Sequence, residues 1–380
     1  MIKKNILFAC DIDNTLIHSF KHRCPGDVCV EMLNGAEQSF MSEAAIEMLK
    51  EVSRSLIFVP VTTRSIEQYL RISVFRDLHL PYALTSNGGV LLVDGRRYEE
   101  WEKTSAVRPC AESLYSGSDA IELALGILSA APECTKTRLV DGIFAFSKSI
   151  DQGRTLSRLK ESFGLNSAGV GSASAISYFD AAPAAAITVS AAATTAPAAA
   201  DVDIVSVKSG VRIYCSNGKI YVFPREISKG VAVRRLMNVI FAQHHINAGG
   251  SALDPDMLIN AGAINLYPSM SIGTGGSTLN PDMLINAGAI NLYPSMSIGT
   301  GSSGLDPDML ISAGGSALDP DMLISAGDSS LDLDMLNIAD IAIVPDTEMG
   351  KKLTSGVRLI HNGEEPYEVF VLQSVLNVLK

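Results

Sequence analysis

Apolar residues run without a break from Ile6 to Cys10 and stop at Asp11, the pattern of a short strand buried on both faces. The run is too short for the core of a secretory signal. From Val28 to Met41 apolar and polar residues alternate around Asn34-Gly35, which predicts a two-residue hairpin. Ser42 is placed to cap a helix with Ala45, Ile46, Leu49 and Val52 on one face. Leu56 to Val61 reads as a second buried strand. Ser65 and Gln68 form a capping box that opens a helix over Ile66 to Ile72. Tyr82 to Thr85 is a third strand, ending at Ser86-Asn87-Gly88-Gly89. Strands alternating with helices predict parallel pairing in an α/β fold, a Rossmann-like doubly wound sheet.

The pattern then changes. Asp119 to Ala131 and Gly153 to Phe163 have helical periodicity, and Val211 to Phe223 reads as a hairpin around Asn217-Gly218. These elements predict a separate α+β unit over residues 96–219, inserted into a core formed by 1–95 and 220–380. Two stretches depart from globular patterning. In residues 181–200, 12 of 20 are Ala, with Pro183 and Pro197 among them, so a flexible excursion is expected over about 165–205. Over about 249–322 the chain repeats with a period of 13: Pro255, Pro268, Pro281, Pro294, Pro307 and Pro320 fall in register. Met257, Met270, Met283, Met296, Met309, Met322 and Met335 follow the same spacing. The period matches no solenoid, heptad or 11-residue helical repeat, so tandem expansion of one segment is the expected origin.

Composition narrows the function classes. The chain of 380 residues carries 41 acidic and 30 basic side chains, net -11, with no basic cluster of the kind that tracks nucleic acid. No segment reads as a membrane span. Six cysteines show no paired framework, which suits a reducing cytoplasm. There is no GxxxxGK[ST] loop for an ATPase. Gly299-Thr300-Gly301-Ser302-Ser303-Gly304 matches GxGxxG but falls inside the repeat, away from any strand-to-helix turn. His18, His22, Cys24 and Cys29 cluster at spacings that fit no standard zinc site. Tyr98 and Trp101 read as packing residues. Nothing in the sequence sets the oligomeric state.

Candidate chemistry begins at Asp11-Ile12-Asp13-Asn14-Thr15, directly after the first strand. In a parallel sheet, ligands bind outside the carboxyl ends of the strands. There one carboxylate can attack while another handles a proton. Taken alone, such a pair more often serves a turn or a helix cap. Thr62 ends the second strand on the same edge. Lys229-Gly230 precedes an amphipathic helix over Val231 to Phe241, where an ammonium opposes the macrodipole but can hold a phosphate. Leu323 to Ala326, a further strand, leads into Gly327-Asp328-Ser329-Ser330-Leu331-Asp332.

The series DxDxT, strand-ending Thr, Lys and GDxxxD, in that order, resembles the haloacid dehalogenase superfamily of phosphatases. Val59-Pro60-Val61-Thr62-Thr63-Arg64 and Ser86-Asn87-Gly88-Gly89 look like its branch with a large α/β cap between the second and third motifs, which includes sugar-phosphate phosphatases. The resemblance covers about 1–160, 205–250 and 323–380. It implies that Asp11 attacks phosphorus and that Asp13 acts as general acid and base, with Thr15 fixing the loop. It further implies that Thr62 and Lys229 bind phosphate oxygens, with Arg64 and Asn87 as supporting positions. Mg²⁺ would be held by Asp11, the backbone carbonyl of Asp13, Asp328, and Asp332 as ligand or outer partner. The implied partner is a small phosphorylated metabolite, with no nucleic acid and no membrane. Leu331 stands where many relatives carry Asn. The repeat looks like copies of the last motif in which Gly250, Gly276, Ser302 and Gly315 replace Asp328, so only the final unit is expected to bind metal. Phosphoryl transfer by the same chemistry, and a non-catalytic binding protein on a relict core, remain the rival readings.

Overall fold

The computed structural model describes residues 6–105, 117–165, 202–206, 209–247, 322–354 and 356–380, together with two-residue strands at 188–189, 264–265 and 290–291. Most of the Ala-rich stretch and of the 13-residue repeat lies outside the described residues, apart from Thr188–Val189 and a parallel pairing of Ile264–Asn265 with Ile290–Asn291, two periods apart. The GxGxxG match and the side chains of His244 and His245 lie outside them too.

A five-stranded parallel sheet forms the centre, in the order Val357–Ile360, Ile341–Val344, Met322–Ala326, Ile6–Cys10, Ile57–Pro60. The Ile6–Cys10 run is apolar throughout because both faces of its strand are covered. Phe8 and Cys10 pack with Ile324 against the Glu43–Ser55 and Tyr367–Val378 helices. Leu7 and Ala9, on the opposite face, pack with Val59 and Leu323 against Val233, Leu236 and Ile240 of the Lys229–Asn247 helix. In register, Cys10 lies beside Ala326 on one side and Pro60 on the other. Three chain segments therefore leave the sheet at one edge: Asp11, Val61-Thr62 and Gly327-Asp328. A bridge from Val61 to Leu84 carries the same order on to the Tyr82–Thr85 strand.

A second, antiparallel sheet joins Val202–Ser206, Val211–Ser216, Lys219–Pro224, Phe144–Ser149 and Cys134–Val140, with Thr188–Val189 at its edge. One face, with Ala145, Ile213, Cys215, Ile220 and Val222, lies under the Gly117–Ala130 and Gln152–Ser162 helices. The other face carries Phe144, Phe146, Tyr214, Tyr221 and Phe223, and these pack with Leu331 of the first unit. The architecture is thus a mixed α/β fold, a parallel core with an inserted α+β layer.

Local chemistry accounts for the turns. Asn34-Gly35 and Asn217-Gly218 have positive φ at both residues, the requirement of the tightest hairpin turns. Asp141-Gly142 does the same in a hairpin, Cys134–Val140 to Phe144–Ser149, that the hydrophobic pattern did not suggest. Ser42 accepts from the Ala45 amide, and Ser65 and Gln68 complete their capping box. The expected helix to Ile72 stops at Leu70, because Ile72 is buried in an extended conformation where it bridges to Glu31. Lys229 is the first residue of its helix rather than the residue before it.

One glycine fixes how closely the core loops meet. Gly88 has φ +87 and sits against the start of the Lys229 helix, where a Cβ would collide with Ala232 and lie 3.0 Å from the Ser228 carbonyl. Gly88→Ala is expected to cost about 2–5 kcal/mol, from left-handed strain plus overpacking, read as a lower urea midpoint at unchanged slope.

Candidate active site

Each catalytic candidate is set by the element before it. The strand Ile6–Cys10 delivers Asp11, whose amide donates to the Ala326 carbonyl at 2.9 Å and so continues the sheet by one residue. The loop then folds back on itself. Asn14 takes a left-handed φ of 58°, and the amides of Thr15, Leu16 and Ile17 all donate to the Ile12 carbonyl. This brings Thr15 Oγ1 to 3.4 Å from Asp11 Oδ2. Lys229 reaches in from its helix, 218 positions away in sequence, and its Nζ lies 2.5 Å from both Asp11 Oδ1 and Asp332 Oδ1. All three are buried.

The last loop is organised around Asp332. Its Oδ2 accepts from the amides of Asp328 and Ser329 and from Ser329 Oγ, at 3.2, 2.9 and 2.8 Å. Gly327 is needed for this packing, since a Cβ there would stand 2.5 Å from Asp332 Cβ. Tyr367 donates to the Gly327 carbonyl at 3.1 Å and ties the loop to the C-terminal helix. With both oxygens engaged, Asp332 has little left to offer an ion directly. Asp328 remains the open carboxylate of the pair, touched by the Asn14 side chain.

Asp11, Asp328 and Asp332 each place one oxygen within 4.8 Å of the others, and among the described residues they form the one such acidic group. Burial would lower the Lys229 pKa, but the carboxylates of Asp11 and Asp332 outweigh it and hold the ammonium charged. Three carboxylates share that one charge. Burial pushes Asp11 above the ordinary carboxylate range against the pull of Lys229. Burial and then the Asp332 charge push Asp328 up to about 7. A cluster that cannot comfortably carry its own negative charge is a fitting host for a hard divalent cation with oxygen ligands.

Asp13 lies at the mouth of the site with its side chain about half exposed, and Arg64 grips it with two bonds, Nε to Oδ2 at 2.9 Å and Nη2 to Oδ1 at 2.8 Å. Arg64 is itself fixed by Glu31, 2.8 Å away, and by Ser39. Arg71 also pairs with Glu31, so this buried carboxylate is doubly neutralised. Asp13 thus faces its arginine here, and a proton transfer by Asp13 requires one of those bonds to open. Thr62 is fully buried: its Oγ1 accepts from the Arg64 amide at 3.1 Å, and its carbonyl accepts from the Asn87 amide at 2.8 Å. Asn87 has φ 62° and donates through Nδ2 to the Ile227 carbonyl at 3.4 Å, two residues before Lys229. Thr62 and Asn87 therefore brace the loops on either side of the lysine.

Several contributors were not visible in sequence. The sequence marks Asn14 only as part of a loop, and Glu31 and Ser39 lie in a hairpin with no chemical signal. Asp141 carries the inserted layer onto the core: its carboxylate accepts from Ser86 Oγ at 2.5 Å and from the Ile66 amide at 2.8 Å. Asp-Gly between two apolar runs was the available signal for that turn. The His18, His22, Cys24 and Cys29 group does not converge. His18 pairs with Asp27 at 2.7 Å, while Cys24 and Cys29 donate to backbone carbonyls. Trp101 is buried and donates to the Gly88 carbonyl at 3.0 Å, a packing role.

No protein-family model matches this chain, and no curated protein matches it. The solved structures it is similar to include sugar phosphatases, one of them of the haloacid dehalogenase superfamily. The sucrose-phosphatase of Synechocystis is similar with a TM-score of 0.46 at 10% identity, covering 99% of this chain and 98% of that one. A sugar phosphatase of subclass IIB of that superfamily gives 0.46 at 9% identity, covering 98% of each. The trehalose-6-phosphate phosphatase of Aspergillus fumigatus gives 0.41 at 9% identity, covering 98% of this chain and 92% of that one. These are distant likenesses, and the chemistry of the site stands on its own residues. Among the described residues no helix is long and apolar enough to cross a membrane.

Proposed function

We propose that this protein is a Mg²⁺-dependent phosphatase that hydrolyses a small phosphorylated metabolite through an aspartyl-phosphate on Asp11. The observation that carries this reading is the buried pairing of Asp11 with Lys229 beside Asp328 and Asp332, four side chains from three segments brought to one sheet edge. Asp328, Asp11 and the backbone carbonyl of Asp13 would hold the ion, with Asp332 positioning Asp328 and Lys229. When bound, Mg²⁺ offsets the repulsion between a carboxylate and a phosphate dianion.

The chain's own groups account for the rest. An Asp11 oxygen forms the new bond to phosphorus as the bond to the leaving oxygen breaks. Asp13 gives that oxygen a proton, and the alcohol departs. Asp13 then takes a proton from water, the water oxygen bonds to phosphorus, and Asp11 leaves as a carboxylate with inorganic phosphate released. Lys229 and the Thr62 loop hold phosphate oxygens where negative charge builds up. The inserted layer over residues 96–219 acts as a cap on the core of 1–95 and 220–380, excluding water and choosing the alcohol. Free thiols at Cys10, Cys24, Cys29, Cys134 and Cys215 suit a cytoplasmic setting. The purified protein should release phosphate from p-nitrophenyl phosphate with Mg²⁺ present and stop when EDTA is added. Isomerised sugar phosphate in place of free phosphate would show a mutase instead.

A further inference from the structure

The aromatic face of the inserted sheet is graded along its strands. Arg138, Phe146, Tyr221 and Tyr214 stand side by side on four adjacent strands, paired in that order. Alternation along a strand puts residues two apart on the same face. Phe144 and Phe223 therefore share this face toward the core, and Lys148 and Lys219 share it at the opposite end. The core end is closed, with Leu331 among the aromatic rings and Ser330 Oγ 3.4 Å from the Tyr214 hydroxyl. Tyr221 lies in the middle, largely buried and close enough to Asp13, Lys229 and Asp11 to feel their charges. Its ring meets Phe146 edge-on at 5.2 Å, and the Arg138 guanidinium lies 4.6 Å from the Phe146 ring centre.

The outer end of this face is positively charged. Lys148 and Lys219 are direct cross-strand partners, both exposed, and Arg138 is exposed in the neighbouring row. None of the three has a carboxylate partner among the described residues. Like charges directly opposite on a sheet cost stability, and they sit here on a chain of net charge -11. Nothing in the packing of the sheet calls for Lys148 and Lys219, since the aromatic contacts lie one and two rows away, while Arg138 lies over the Phe146 ring. The spacing from Tyr221 to Lys219 is two residues, roughly 7 Å along the strand, which is about the span of a sugar ring.

We propose that Arg138, Lys148 and Lys219 form a second anion site, so that the preferred substrate carries a carboxylate or a second phosphate on its leaving group, beyond an apolar ring or chain that rests on Phe146 and Tyr221. This inference rests on the phosphatase reading and names the substrate class of that site. The scissile phosphate goes to Asp11 and Lys229, and the cationic rim takes the distal charge. A neutral hexose phosphate fills the first position and leaves the rim unsatisfied.

Binding separates this claim from turnover. The full chain carrying Asp11→Asn, with Mg²⁺, is titrated calorimetrically at low salt with two matched pairs: glucose 6-phosphate against 6-phosphogluconate, and fructose 6-phosphate against fructose 1,6-bisphosphate. In at least one pair the doubly anionic member is expected to bind about tenfold or more tightly, and which pair shows it distinguishes carboxylate from phosphate. Added salt should erode the preference. Replacing both Lys148→Gln and Lys219→Gln should remove it while the protein melts no lower, because a repulsive pair has been relieved. Equal Kd values within both pairs, or a preference that survives the double substitution, would overturn the proposal. Absence of p-nitrophenyl phosphate hydrolysis by the unsubstituted protein would instead sink the phosphatase reading.

Discussion

Asp11→Asn should abolish phosphate release, by about 10⁴-fold or more in kcat, without unfolding the protein. The size follows from the role: an amide has no anionic oxygen to offer phosphorus, and losing a nucleophile removes the covalent route entirely. The preserved fold follows from the electrostatics. Asp11 is buried with two other carboxylates around a single ammonium, and its charge is held against desolvation. A neutral isostere removes one of three competing negative charges and leaves Lys229 paired with Asp332. The melting temperature of the metal-free variant should therefore equal or exceed that of the parent. This is the stability–activity trade-off expected of a site built for chemistry. A variant that loses activity only because it melts many degrees lower would contradict the assignment.

Lys229→Met should have the opposite stability signature. Among the described residues, Lys229 is the only cation bonded to Asp11 or Asp332. Methionine keeps much of the volume but leaves the carboxylates without a partner. Removing one member of a buried ion pair costs about 3–5 kcal/mol. The deficit should depend on pH. Without the ammonium the Asp11 carboxyl pKa, already raised by burial, rises further above its unfolded value. Such a group lowers folded stability as pH rises from the ordinary carboxylate range to the raised value. The variant should accordingly lie closest to the parent in mild acid and furthest from it above neutrality, measured by urea titration at several pH values. Activity should fall as well, since the phosphate loses its ammonium partner. A stability loss that is flat with pH would mean that the pairing of Lys229 with the two aspartates is not what holds this part of the core.

Much of this arrangement was legible in the sequence, for reasons that can be named. The run from Ile6 to Cys10 could only be a strand covered on both faces, and its end marks the rim where ligands bind. Asn34-Gly35 and Asn217-Gly218 encode their turns through the left-handed conformations they tolerate. Ser42 and Ser65 mark helix starts because each side chain satisfies an amide that the helix leaves open. What could not be read was set by contacts between distant segments. Arg64 clamps Asp13 from 51 positions away, through a pocket completed by Glu31 and Ser39. Ile72 leaves a helical pattern because Glu31 pairs with it. The family resemblance makes Asp332 a possible ligand, yet its oxygens are taken by Lys229 and the loop amides, which only the folded loop reveals. Leu331, a departure from the pattern of the resembled family, fills the aromatic face of the inserted sheet.

The central claim is a covalent bond between phosphorus and Asp11, and it can be observed directly. The protein is mixed with Mg²⁺ and a turning-over phosphate ester, quenched in acid, digested and mapped by mass spectrometry. A phosphoryl group on the peptide from Met1 onward that includes Asp11, localised to that residue and lost in Asp11→Asn, is the predicted result. Phosphorylation at another residue, or active turnover with no phosphoryl group on Asp11, would contradict it.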